Sequence, residues 1–203
     1  MKKYLIKHLD CKLSEIDWEA IEKAEIICTP WRAFPKCFYS YGQLAELPDS
    51  IAVKLFSREE DLRCVNIADN SPVNQDSCLE FFPMPFEDGP YYNFEINPNG
   101  CLKVKVGPDK INRNFIQLDE PFSSFFNISA VRGSSFWSVT YEIPKSFLFA
   151  DAGILPKSFR GNFFKCGDLT DHPHYQCWNE VVFADRPNFH LPEFFGVFEF
   201  EIE

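Results

Sequence analysis

Apolar and polar residues alternate with a period of two along much of the chain. Ile51-Ala52-Val53-Lys54-Leu55-Phe56, Leu102-Lys103-Val104-Lys105-Val106, Trp137-Ser138-Val139-Thr140-Tyr141 and Val197-Phe198-Glu199-Phe200-Glu201-Ile202 each read as a strand with one buried face. Turn residues bound each run. Pro98-Asn99-Gly100 separates Tyr92–Asn97 from Cys101–Val106, and because Asn and Gly tolerate positive φ this predicts a hairpin. One segment near the start reads as a helix, Ser14–Ala24, with Ser14 as cap and Ile16, Ala20 and Ile21 at helical spacing. Many short strands separated by turns predict an all-β fold, an antiparallel β-sandwich of immunoglobulin-like or jelly-roll type with a short N-terminal helical segment.

Composition sharpens this picture in one respect. The chain holds 23 phenylalanines, several as adjacent pairs: Phe81-Phe82, Phe125-Phe126, Phe163-Phe164 and Phe194-Phe195. Neighbouring strand residues point to opposite faces, so one ring of each pair leaves the main core and packs under a loop. The 203 residues, 45% of them hydrophobic, suit one core, and residues 1–203 are read as a single domain. The 15 prolines and nine glycines are dispersed, forming no linker and no repeat.

Charge excludes some partners. With 30 acidic and 20 basic residues the net charge is −10, which repels polyanions, so nucleic acid and anionic membranes are not expected ligands. The N-terminal MKKYLIKHLDCKL has no apolar run or cleavage site of a secretory signal, and no window is long and apolar enough to span a membrane. Eight cysteines occur without a C-x-x-C pair or zinc-ligand spacing, so all are expected as free thiols. A reducing, cytoplasmic setting follows, or an extracellular one if a signal had been removed beforehand.

Three ordered segments carry the functional reading. They are Asp76-Ser77-Cys78-Leu79-Glu80-Phe81-Phe82, Tyr92-Asn93-Phe94-Glu95-Ile96-Asn97, and Phe159–Phe200 with its His172-Pro173-His174 loop, Trp178 and Asn188-Phe189-His190. In this order they resemble the family 9-like carbohydrate-binding modules, from about Asp17 to the last residue. The resemblance implies a non-catalytic module for saccharides such as the terminal units of plant polysaccharides. It implies an acidic group at Glu80, polar groups at Glu95 and Asn97, and a stacking tryptophan at Trp178. His172 and His174 would line or buttress the site. Sugar-binding members place a second aromatic six residues before the Glu80 position, and here that residue is Asn74.

The residue chemistry fits such a role. A sugar ring needs a flat aromatic face for its C–H surface and charged or amide groups for its hydroxyls, each such bond worth about 1.5–3 kcal/mol. Trp178 lies in a polar loop, His172–Asn179, whereas Trp137 alternates with core residues and Trp18 and Trp31 read as packing. Tyr91, Tyr92 or Phe86 are candidates for the missing second aromatic. His172 and His174, with His190 or Asp171, form a weaker metal candidate, because no third ligand has characteristic spacing. No metal site or cofactor is assigned, structural calcium at Glu87-Asp88 or Asp168–Asp171 being left open. Two alternatives stand beside sugar binding: an interaction domain without the sugar clamp, which Asn74 favours, and a glycoside hydrolase using Glu80 and Glu95.

Overall fold

The computed structural model describes residues 1–149, 155–182 and 186–201. Thirteen strands are present among them: β1 (Lys3–His8), β2 (Ala24–Glu25), β3 (Ser40–Glu46), β4 (Ser50–Ser57), β5 (Cys78–Met84), β6 (Tyr91–Ile96), β7 (Leu102–Gly107), β8 (Asn114–Phe115), β9 (Ser129–Arg132), β10 (Trp137–Pro144), β11 (Ser158–Cys166), β12 (Tyr175–Cys177) and β13 (Gly196–Phe200). The four alternating runs fall in β4, β7, β10 and β13, as their period requires. Ile202, placed at the end of the last run, lies outside the described residues.

The strands follow one path, β8-β7-β6-β5-β11-β13-β1-β3-β4-β10-β9, folded so that its two halves face each other as a sandwich. β1 joins the layers. Its Lys3–Ile6 half pairs with β13 and its Lys7–His8 end with β3, both parallel, while every other strand pair is antiparallel. β12 lies against β11, and β2 against β3.

Between the layers sits an aromatic core. Phe81, Phe94, Phe163 and Phe198 project from the first layer onto Val53, Leu55, Val139 and Tyr141 of the second. Phe81 stacks on Phe163 at 4.8 Å, and Phe94 meets Tyr141 across the sandwich at 6.2 Å. Gly42 on β3 makes room for this packing, since a Cβ there would come within 2.6 Å of the Phe163 ring. The opposite face of the first layer has a second apolar cluster, where Phe82 and Phe164 pack with Tyr91, Phe189 and Phe195 under the covering loops. The split of Phe81-Phe82 and Phe163-Phe164 thus follows strand alternation. Phe125-Phe126 and Phe194-Phe195 lie instead at short helical turns, where facing is not alternate.

The N-terminal helix is corrected. Residues 13–15 and 18–20 form two separate 3₁₀ turns, and Ile16 between them is extended. Asp17 is the reason: its carboxylate accepts a bond from the Glu19 backbone N–H, a local closure that competes with helix continuation. Among the described residues no helix is long and apolar enough to cross a membrane.

Candidate saccharide site

The outer face of the first layer carries one row of side chains in direct register. Phe164 lies opposite Glu80, Glu80 opposite Glu95, and Glu95 opposite Lys103, so the row crosses β11, β5, β6 and β7. Alternation explains the set. Leu79, Phe81, Phe94 and Val104 turn inward, which commits Glu80, Glu95 and Lys103 to the other face.

Two carboxyls directly opposite each other on one sheet face repel. The site resolves the conflict by treating them differently. Glu95 is ion-paired with Lys103 and accepts a 2.8 Å bond from Asn93 Nδ2. Glu80 accepts from the Cys166 and Cys78 thiols at its Oε1, at 3.2 and 3.9 Å. Burial, and then the neighbouring Glu95 charge, push the Glu80 carboxyl well above the usual carboxylate range. A protonated Glu80 can donate a hydrogen bond as well as accept one, whereas Glu95 accepts.

Above this row opens a cavity of about 230 Å³. Its floor is Glu80, Glu95, Lys103 and Cys166. Asn74 and Asp168 close one side, with the Asn74 Nδ2 donating to Asp168 at 2.8 Å and its Oδ1 accepting from Lys103 at 2.8 Å. Arg113 enters from another, its Nη1 donating to Asn93 Oδ1 at 2.8 Å. Tyr175, Phe189 and His190 supply an aromatic wall. Phe189 lies flat on Phe164 at 4.2 Å, and Tyr175 is held edge-on by Phe34 at 4.8 Å. The His190 Nδ1 is 2.9 Å from the Tyr91 hydroxyl. Burial first, then the charges of Arg113, Lys110 and other nearby cations, lower the His190 pKa to about 2, so the ring is neutral.

Of the residues expected at a sugar site, the structure brings together Glu80 and Glu95 and separates the others. Trp178 is no platform. It is 4% exposed and packs between the layers, 5.0 Å from Phe198 and close to Tyr4 and Phe163. Its backbone N–H bonds the Phe163 carbonyl, which extends the β12 pairing by one residue and turns the indole inward. Asn97 is wholly buried and braces the hairpin: its Nδ2 donates to the Asn66 carbonyl and Asp76, and its Oδ1 accepts from the backbone of Asn99 and Cys101.

His174 is buried too, 2.7 Å from Lys165 Nζ in a network with Glu59, which is why it lines neither this cavity nor a metal site with His172. His172 is exposed and borders a different depression, beside Lys36, Glu60 and Asp171. Of the suggested second aromatics, Tyr91 lies beneath His190, Tyr92 packs on Phe94 and Phe147, and Phe86 is not at the cavity.

The sequence reading missed Lys103, Arg113, Asp168, Tyr175 and Phe189. Lys103 had a signal, since the hairpin at Pro98–Gly100 and the alternation of β7 place it opposite Glu95. Arg113 had none, because it follows β7 on an irregular segment.

The profile of carbohydrate-binding family 9 matches residues 12–200. The chain belongs to this family. Its members are non-catalytic carbohydrate-binding modules. Among solved structures, a candidate carbohydrate-binding protein from Bacteroides uniformis ATCC 8492 is 27% identical, with a TM-score of 0.86 over 98% of this chain and 99% of that one. A family 9 module from Caldicellulosiruptor kristjanssonii in complex with glucose is 13% identical, with a TM-score of 0.64 over 98% and 96% of the two chains. The same kind of module in complex with cellotriose gives 13% identity and a TM-score of 0.64 over 98% and 94%. These two share the fold. Comparison with curated proteins gives no match.

Proposed function

We propose that this family 9 chain acts as one binding module that holds a saccharide in the cavity above Glu80 and Glu95. The observation that carries the reading is the row Glu80–Glu95–Lys103 set at the foot of an aromatic wall. Neighbouring sugar hydroxyls need donors and acceptors at fixed spacing, and the row supplies them: a donor at Glu80, an acceptor at Glu95, and cations at Lys103 and Arg113. Tyr175, half-buried at the mouth, takes the stacking role first expected of Trp178. The volume lies below the roughly 300–1,000 Å³ of drug-sized pockets, which suits one sugar ring and hence the end of a glycan.

The same geometry speaks against hydrolysis. A glycosidase sets its carboxyls on either side of the scissile bond. Glu80 and Glu95 are cross-strand neighbours on one floor, so both would approach a sugar from the same side.

Calorimetric titration with glucose and cellotriose, the ligands of the Caldicellulosiruptor modules, is the test. Binding by the wild type should weaken by about 1.5–3 kcal/mol in Glu95→Gln, the worth of a charge-assisted bond, and be lost in Tyr175→Ala. Wild-type protein giving no heat with these or a wider glycan set would overturn sugar binding and leave an interaction domain.

A further inference from the structure

One cluster at the floor of the cavity has chemistry that sugar binding does not use. Cys78 and Cys166 lie directly opposite each other on β5 and β11, both buried, and Glu80 follows two residues after Cys78 on the same face. The two sulfurs and a Glu80 oxygen all fall within 4.8 Å of one another. Buried thiols usually serve as small apolar groups among apolar neighbours. These two belong to the apolar cluster of this face, and each reaches a backbone carbonyl at 3.7 Å, Cys78 that of Leu79 and Cys166 that of Asn74; both also converge on a single carboxyl oxygen, Glu80 Oε1, at 3.9 and 3.2 Å in the same order.

Those separations are close to the edges of a coordination tetrahedron. With zinc–sulfur bonds of about 2.3 Å and zinc–oxygen bonds of about 2.0–2.2 Å, tetrahedral ligands stand about 3.5–3.7 Å apart for a sulfur–oxygen pair. The observed pair of distances straddles that range, so small rotations of the three side chains suffice. Three protein ligands with a fourth position left over is the pattern of an open zinc site. Here Glu80 and Cys166 line the cavity, so the remaining position faces it. Two sulfur ligands select against calcium and magnesium, which take oxygen. Lys103, one strand beyond Glu95, is already engaged by Glu95 and Asn74.

We propose that Cys78, Cys166 and Glu80 form a binding site for a thiophilic divalent cation of the zinc class, set between β5 and β11 at the floor of the cavity. Glu80 Oε1 faces the thiols and would ligate the ion as a carboxylate, so metal binding releases the Glu80 proton and those of the two thiols, and with the ion bound Glu80 accepts from a sugar hydroxyl instead of donating to it. The proposal stands on these three side chains and does not depend on which glycan, if any, occupies the space above them.

Cobalt(II) added to the reduced, metal-free wild type should give a sulfur-to-cobalt charge-transfer band that saturates at one ion per chain and is displaced by zinc. Cys78→Ser and Cys166→Ser should each weaken binding by roughly a hundredfold or more, beyond what loss of an outer-sphere partner does. Cys28→Ser should leave the band unchanged, since Cys28 and Cys177 form a separate facing pair. X-ray absorption at the zinc edge of the wild-type complex needs no folded variant and should count two sulfur neighbours. Absence of the band, its persistence in Cys166→Ser, its loss in Cys28→Ser, or a shell with other than two sulfurs would each overturn the site.

Discussion

Tyr175 and Trp178 show how three positions along a strand decide between surface and core. Tyr175 faces the cavity, Gln176 turns inward and bonds the Ile26 and Phe38 carbonyls, Cys177 turns outward, and Trp178 turns inward. The polar residues of His172–Asn179 make this stretch read as a loop, where strand alternation gives no facing, and the resemblance to the binding modules points to Trp178. Gly196 adds a constraint that sequence alone did not expose: a Cβ there would lie 2.4 Å from the indole. Trp178→Ala should therefore act on stability, lowering it by about 3–5 kcal/mol in denaturant unfolding, as for other large-to-small core changes. Trp178→Phe should keep the fold and retain saccharide binding. A Trp178→Phe protein that is fully stable but cannot bind would return the indole to the site.

At the level of elements, legibility tracked whether one face or two were buried. β10 alternates along its whole length and β4 does so from Val53 onward, Ser50–Val53 being buried throughout. β5 is buried over its whole length, Cys78–Met84, because loops cover its outer face, and there hydrophobicity no longer marks facing. The Glu80 and Glu95 positions came from family resemblance, while their direct opposition came only from the register of β5 and β6. The missing Cβ of Gly42 is an element-level feature of the same kind, since it sets how closely β3 approaches the Phe163 ring of the opposite layer. Gly42→Ala should cost about 1–3 kcal/mol by overpacking, seen as a lower urea midpoint with an unchanged m value. An unaltered midpoint would mean that Phe163 can move aside without loss.

Across the whole molecule, two histidines held neutral within a chain of net charge −10 give a pH response of definite sign. Burial, then the Lys165 charge, lower the His174 pKa from 6.5 to about 4, while His190, beside Tyr91, falls to about 2. In the unfolded chain both would take up protons near 6.5, so below that pH the unfolded state binds more protons than the folded one. Their contribution to stability is complete above pH 6.5 and shrinks as pH falls through the folded values, first for His174 and then for His190. Ordinary carboxylates titrate near 4, but Glu80, held well above that range, keeps its proton in the folded state and so acts with the opposite sign as pH falls. Between about pH 6.5 and 5 it is one group against two histidines, and the histidines outweigh it. Melting temperatures measured across that interval should fall with pH for the wild type. The slope should lessen in His190→Asn, whose amide can still meet the Tyr91 hydroxyl, and lessen further when His174→Gln is added. A wild-type profile flat from about pH 6.5 to 5, together with no change of slope in His190→Asn or in the double variant, would show that neither ring is held neutral.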